Sequence, residues 1–363
     1  MKTNKLLKIS AIVFTIEFIV LVICVFSESF AELYCRTLSW LVRFCMSFVF
    51  GLVSFSVSEL IVVLLIPAVL GVIAAYVVLA VKKSKYKRAL LNVFVSVILI
   101  SGSVFINNFA VCYFRKPIEK NMGFEKKSLS TAELEASADK VLSLLNESCY
   151  GIEFSDSGAS VNPYTWAKTS KLIDRGYNTL FKEYDFLLPI YAIPKKIVLS
   201  PAMTYTHISG IYFPFTSEAN VNTNYPDYVV VFAMAHEKAH QRGIAGEDEA
   251  NFIAALSLMA SDDEYLRYAA LANMYNYYLD AMFKNEKGMF EKFVGKTPKP
   301  VLDEYIAYSL FFKKYRDSNA AKVAESVNDV YIKSMGDSDG IKSYGKVVEL
   351  FSGYVENRSG LPY

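Results

Sequence analysis

Histidine is rare in this chain: His207, His236 and His240 are the three among 363 residues. Two of them stand four apart around a glutamate, in the stretch AHEKAHQRGIAGEDEANF from Ala235 to Phe252. At this histidine frequency, a chance H-E-x-x-H anywhere in the chain has odds on the order of one in a thousand. On a helix, residues four apart lie one above the other on a single face, so both imidazoles can aim a ring nitrogen at one metal ion. Glu237 is one position on, to the side of that face. There it can take a proton from a water on the ion without being a ligand itself. An exposed helix with incidental histidines is the competing reading. The apolar run Val229–Ala235 speaks against it, because it buries the helix, and buried imidazoles beside a buried carboxylate need a counter-group that a metal supplies.

From the residues alone the third ligand stays open. His207 lies upstream, near an extended segment, and Glu247, Asp248 and Glu249 follow closely, just past Gly243 and Gly246. Glu247 and Glu249 are two positions apart, about 200° around a helix, so they cannot both face one ion.

The elements that must position these residues are legible in outline. Ser130 to Glu133 forms a capping box that opens a helix running toward Leu145, and Tyr164 to Leu187 carries a second helical pattern. Lys195–Ser200, Gly210–Thr216 and Glu218–Asn222 are β-branched or aromatic and bounded by Pro, Gly and Ser, as strands are. Pro226 can begin the motif helix at its first turn, and Gly243 suits its C-terminal end. A return helix begins near Gly246. The rest reads as helices, with polar breaks near Gly288–Pro300, Arg316–Asn319 and Gly336–Gly340.

The first third of the chain has a different texture. Apolar residues make up 53% of the protein, and the excess lies at the N-terminus, which marks membrane spans. Spans are expected at about 9–26, behind Lys2, Lys5 and Lys8, and at 60–81 and 90–113. Segment 33–55 reads as interfacial or re-entrant, since Arg36, Trp40 and Arg43 suit the headgroup layer. The basic loop Lys82–Arg88 then faces the cytoplasm, together with the N-terminus. Residues 1–115 are thus a membrane region, and 116–363 an extracytoplasmic domain of a multi-pass cell-membrane protein. Glu17, inside the first span, suits helix packing or partner pairing. Five cysteines (Cys24, Cys35, Cys45, Cys112 and Cys149) leave just one in the soluble part, so no disulfide framework and no cysteine metal site is expected. A net charge of +2 and the lack of a basic block in the soluble part point away from nucleic acid.

At the histidine motif the chain resembles a zincin metallopeptidase of the glutamate-ligand type. More closely, it resembles a bacterial membrane family of unknown function, number 3810, with N-terminal spans before a zincin-like domain. GIYFPFTSEANVN, AMAHEKAHQRGIAGEDEANF and VNDVYIKSMGDSDGIKSYGKVVEL carry that resemblance over nearly the whole chain. It implies N-terminal transmembrane helices followed by a mainly α (α+β) zincin-like domain, with a small sheet before the active-site helix and Zn2+ as cofactor. It also implies an edge strand, which GIYFPFT could supply, although the same segment suits plain core strand equally well. In zincins with a glutamate ligand, a pattern of glutamate, two residues, a small residue, then Asp or Asn is familiar. EDEAN resembles it, with Glu247 as ligand, Ala250 small and Asn251 orienting an imidazole. Glu247 comes a tight seven residues after His240, which keeps Glu249, and behind it Asp248, as alternative ligands. Zincins stabilise the oxyanion with Tyr or His, so Tyr344 and His207 are candidates there or in substrate binding, against the commoner packing role of each.

The expected activity is a membrane-anchored zinc-dependent peptidase acting on a peptide or protein substrate at the lipid membrane, with Glu237 as the base. The rivals are a non-catalytic zinc-binding sensor or scaffold, and a zinc amidase acting on cell-wall peptides. An intact Glu237 favours the enzymes, because a purely structural site is closed by a fourth protein ligand and has no use for an unliganded carboxylate.

Overall fold

The structure is a computed structural model, and it describes residues 2–126, 128–334 and 345–358. The chain divides into two compact units: Met1–Lys116 with Phe213–Glu218, and Pro117–Tyr212 with Ala219–Tyr363.

Apart from Phe213–Glu218, the first unit is built of helices: α1 (Lys2–Phe26), α2 (Glu28–Arg36), α3 (Leu38–Gly51), α4 (Val57–Val81) and α5 (Tyr86–Asn108), followed by a 3-10 turn at Ala110–Phe114. Among the described residues, four stretches are long and apolar enough to cross a membrane, against the three expected: Thr3–Phe26, Glu28–Gly51, Val57–Val81 and Tyr86–Phe114. The apolar side chains of α4 are exposed nearly all round, a surface suited to hydrocarbon and not to water.

The additional stretch, Glu28–Gly51, has the lowest mean hydropathy of the four, 1.2, and it is broken at Thr37. Side-chain pairings show how it lies. Asn92 donates to Asn4 at 2.7 Å, and the ring of Phe14 fills the space a Cβ on Gly102 would take. Ten residues along α1 thus match ten along α5, so the two helices run parallel and begin at the same end. The α2–α3 segment meets α5 at its far end: Ser39 donates to the Asn107 carbonyl, Asn108 Nδ2 lies 3.3 Å from Met46 Sδ, and Arg115 makes a two-pronged ion pair with Glu32 at 2.8 and 3.0 Å. Between them, the Tyr34 hydroxyl sits 3.1 Å from Glu17 and 2.8 Å from Asn107, a partner for that intramembrane carboxylate.

At the same end the Glu218 carboxylate accepts from the Val57 and Ser58 N–H groups at 3.2 and 2.8 Å, and from the Ser58 hydroxyl. A carboxylate there matches the unpaired N–H groups and positive dipole end of α4.

The second unit holds α6 (Ile118–Met122), α7 (Thr131–Ser148), α8 (Trp166–Glu183), β1 (Lys195–Lys196), α9 (Ser200–Met203), most of the hairpin β2 (Gly210–Phe213) and β3 (Glu218–Val221), then α10 (Asp227–Gln241), α11 (Glu247–Met259), α12 (Glu264–Asn285), α13 (Lys287–Lys296), α14 (Lys299–Phe312), α15 (Asn319–Ser334) and α16 (Lys346–Arg358). The capping box at Ser130 is formed. The sheet order is β1-β3-β2, with β1 parallel to β3 and β2 at an edge. The break expected at Gly288–Pro300 is mostly helix, α13. Its two glycines cost helix propensity, but burial of Phe293 under the Tyr275 hydroxyl outweighs that. The break expected at Gly336–Gly340 falls outside the described residues.

One core runs through α7, α8, α10, α11, α12 and α16. Helices α8 and α11 approach so closely at Gly176 that an added Cβ would lie 1.7 Å from the Ser257 carbonyl oxygen. Backbone cannot yield there as a flexible side chain would.

Two predictions follow from these packings. With single cysteines at position 3 and position 84, a membrane-impermeant maleimide should reach both from the same side. Labelling from opposite sides would mean that α2–α3 crosses. Gly176→Ala should cost on the order of 3 kcal/mol or more, as severe overpacking does. A melting curve unchanged from wild type would refute the close approach.

Candidate metal centre

The site begins with α10. Pro226 precedes it, and the helix ends in the turn Arg242–Gly246, where Gly243 takes the left-handed conformation at φ 86°. The Gly243 N–H then reaches the His240 carbonyl and the Ile244 N–H reaches that of Ala239, which closes the helix end. Gly246 caps α11, which starts at Glu247 and returns against α10. The brevity of this return sets the site, because it carries both the Ile244 carbonyl and the Glu247 carboxylate back to the histidine face.

His236 Nε2 and His240 Nε2 lie 2.9 Å apart, and Glu247 Oε2 lies 3.2 and 3.7 Å from them. Tetrahedral bonds of about 2.0–2.2 Å to nitrogen and oxygen set neighbouring donor atoms roughly 3.3 Å apart, so one ion of zinc's size fits this triangle. Among the described residues, it is the one group of three or more His, Cys, Asp or Glu that could hold a metal ion. The opposite ring nitrogens are engaged. His240 Nδ1 is 2.7 Å from the Ile244 carbonyl and His236 Nδ1 is 2.8 Å from Asn251 Oδ1. Each of those oxygens can only accept, so each Nδ1 carries a proton and Nε2 is the ring atom that a metal ion can take. Two lone pairs and a carboxylate at such distances repel unless a proton or a metal ion joins them.

Without a metal ion the same triangle favours a proton: burial opposes a charge on His240, but the Glu247 carboxylate overrides it and raises the imidazole to about 9, so a metal ion would take the place of that proton. Burial would lift Glu247 too, yet His240 and His236 hold it well below the usual carboxylate range. Glu237 is different. Burial pushes it up to about 7 against the pull of the imidazoles. It accepts from the Tyr212 main-chain N–H, while its Oε2 is buried with no hydrogen-bond partner. Gly210 in β2 makes room for it, since a Cβ there would come within 2.6 Å of Glu237 Oε1. The centre is open on the side of His236 and Glu247, whose side chains are 13% and 25% exposed against 5% for His240.

The other expected candidates lie elsewhere. Glu249 turns away from the histidines and accepts from the Ile118 N–H at 2.8 Å, at the start of α6, and Asp248 faces Lys126 at 3.6 Å. His207, in the left-handed conformation, places Nε2 2.8 Å from the Tyr315 carbonyl and its ring against Phe312. Tyr344 lies outside the described residues.

A buried support beneath α10 was not visible from spacing. Lys238, inside the motif, reaches Asp174 at 3.1 Å and the Ala192 carbonyl at 2.8 Å. Arg242 pairs with Asp174 at 2.9 Å and stacks on Tyr177, whose hydroxyl donates to the Ala235 carbonyl. A lysine on an otherwise buried helix was the available signal, since it had to find an acid somewhere.

The ligand set has a direct test by competition with a chromophoric chelator. Glu247→Ala should lower zinc affinity by more than 100-fold, and Asn251→Ala by about 10-fold to 100-fold, as loss of a ligand-orienting partner does. Glu249→Ala should bind as wild type does. Loss of the metal from Glu249→Ala with retention in Glu247→Ala would reverse the assignment.

No curated protein and no solved structure matches the chain. One family, described as "Protein of unknown function (DUF3810)", matches residues 34–352, a range that takes in most of the apolar N-terminal helices and all residues of the candidate metal centre. Over that range the chain belongs to the DUF3810 family.

Proposed function

We propose that this protein is a membrane-anchored, zinc-dependent peptidase with a zincin-like domain, which holds Zn2+ on His236, His240 and Glu247. One observation carries the reading: two Nε2 atoms and a carboxylate oxygen converge within bonding reach of one ion, beside a buried carboxylate oxygen that has no hydrogen-bond partner.

Zinc, when bound, supplies a Lewis acid that polarises a carbonyl and makes a water easier to deprotonate. The chain's own groups do the rest. Asn251 and the Ile244 carbonyl hold both imidazoles by Nδ1, so that Nε2 is the atom each ring turns to the ion. Glu237 is held by the Tyr212 N–H and walled by Gly210, so that Oε2 is free to accept a proton and to pass it to a leaving amine. The edge strand β2 ends beside that carboxylate, and an extended peptide can pair with such an edge through its main chain. The unpartnered Oε2 also separates this reading from a purely structural zinc site, where a buried carboxylate left without a partner is a cost with no return.

The test uses the full chain purified in detergent, its zinc content measured and a peptide library offered with and without a chelator. Glu237→Gln should keep its zinc and lose hydrolysis by about 10²-fold to 10⁴-fold, the range for a general base. Zinc bound with no cleavage by the wild type would favour the sensor reading. Failure of the wild type to bind zinc would overturn the metal reading altogether.

A further inference from the structure

The first unit contains a second reactive group, and nothing in the peptidase reading uses it. Cys35, on α2, and Cys112, in the 3-10 turn after α5, are 77 positions apart in sequence, yet their sulfurs lie 3.6 Å apart. Both are buried. Over them lies Arg43, wholly buried, which donates to Cys112 Sγ at 3.3 Å and to the Cys35 carbonyl at 3.1 Å, and also to Ser39 Oγ. Its Nε has no hydrogen-bond partner, and among the described residues no carboxylate faces it. The neighbouring Arg115 does have one, in Glu32. A buried guanidinium needs an anion, and the one group in contact with Arg43 that can become one is a cysteine sulfur.

We propose that Cys35 and Cys112 form an exchangeable disulfide that ties α2 to the end of α5, with Arg43 favouring its reduced form. The sulfurs lie at the end of α5 remote from the basic loop Lys82–Arg88. On the expected topology that end faces the oxidising side of the membrane. The oxidant is a disulfide, small or protein-borne. The Cys112 thiolate attacks one of its sulfurs and expels the other as a thiolate. Cys35, as thiolate, then attacks the Cys112 sulfur of the mixed disulfide, forming the Cys35–Cys112 bond and expelling the second thiolate. Two electrons pass to the oxidant, which leaves as two thiols carrying the two protons. Thiol–disulfide exchange works through the thiolate, and a reduced form stabilised by a neighbouring cation makes the disulfide easier to reduce. Because both sulfurs are buried, α2 must part from the turn for exchange to occur, so the redox state is tied to how the α2–α3 segment docks.

The experiment equilibrates the full chain in detergent with mixtures of reduced and oxidised glutathione, quenches with acid, alkylates and maps the linked peptides. The wild type should yield a Cys35–Cys112 link that is half reduced within the range of glutathione mixtures. Cys24→Ser, Cys45→Ser and Cys149→Ser should keep the link, and Cys35→Ser and Cys112→Ser should lose it. Arg43→Gln should favour the disulfide by about tenfold in the exchange constant, the effect of losing a charge-assisted contact. Absence of the link in the wild type, or a link to Cys24 instead, overturns the proposal. So does an Arg43→Gln midpoint equal to that of the wild type. Should Arg43→Gln not fold, the wild-type midpoint decides alone: a disulfide that glutathione cannot reduce at any ratio overturns the exchangeable character.

Discussion

A helix carrying two imidazoles, a carboxylate, an ammonium and a guanidinium at its C-terminal end is buried on nearly every side. Each of those groups must find a partner or destabilise the fold. Much of the second unit is arranged to meet that demand. Helix α8 presents Asp174 to Lys238 and Arg242 and lends the Tyr177 hydroxyl to the helix backbone. Helix α11 presents Glu247 and Asn251 to the histidines, and the turn between α10 and α11 presents a carbonyl. The approach of α8 to α11 at Gly176 helps hold these faces in register. Among the groups gathered at the histidines, one oxygen of Glu237 stays without a hydrogen-bond partner. A packed interior does not leave such groups by accident, because each unpaired one costs on the order of 1–3 kcal/mol.

The first unit solves a related problem in a different solvent. Backbone and charged groups have no water to turn to within hydrocarbon, so they must be satisfied by the protein. Its polar side chains accordingly gather at one end of α5, where Glu17, Tyr34, Asn107, Ser39 and Arg43 contact one another in sequence, with the Glu32–Arg115 pair close by. The α2–α3 segment makes this clustering possible. Its break at Thr37 and its modest hydropathy distinguish it from the helices that run the length of α5. Length and composition describe a helix in isolation, and by those criteria the segment passes. Its pairings describe where it lies, and they keep it at one end.

Several features were legible in the residues because they depend on local periodicity. The four-residue spacing of His236 and His240, the capping box at Ser130, the stop at Gly243 and the apolar stretches are all properties of a few consecutive turns. The choice between Glu247 and Glu249 was narrowed by helical phase, but phase alone does not say which side of α11 meets α10. Packing answers that: Glu249 accepts from the Ile118 N–H at the start of α6, and Glu247 is left on the histidine side. The helix α13 was misjudged because glycine signals a break only where no buried side chain outweighs it, and Phe293 is such a side chain.

The sequence by itself determined the chemistry that is possible here: which donors exist, which of them a single helix face can hold, and which third of the chain belongs with lipid. Each of these follows from residue type and from a repeat of 2 or 3.6 residues. Tertiary structure alone decided the pairings between residues distant in the chain. It set Asp174 beneath Lys238, Gly210 against Glu237, Glu218 at the start of α4, and Cys112 beside Cys35 and Arg43. No periodicity encodes such contacts. They arise when elements already formed are packed so that every buried polar group is answered, a condition on the whole chain and not on any stretch of it.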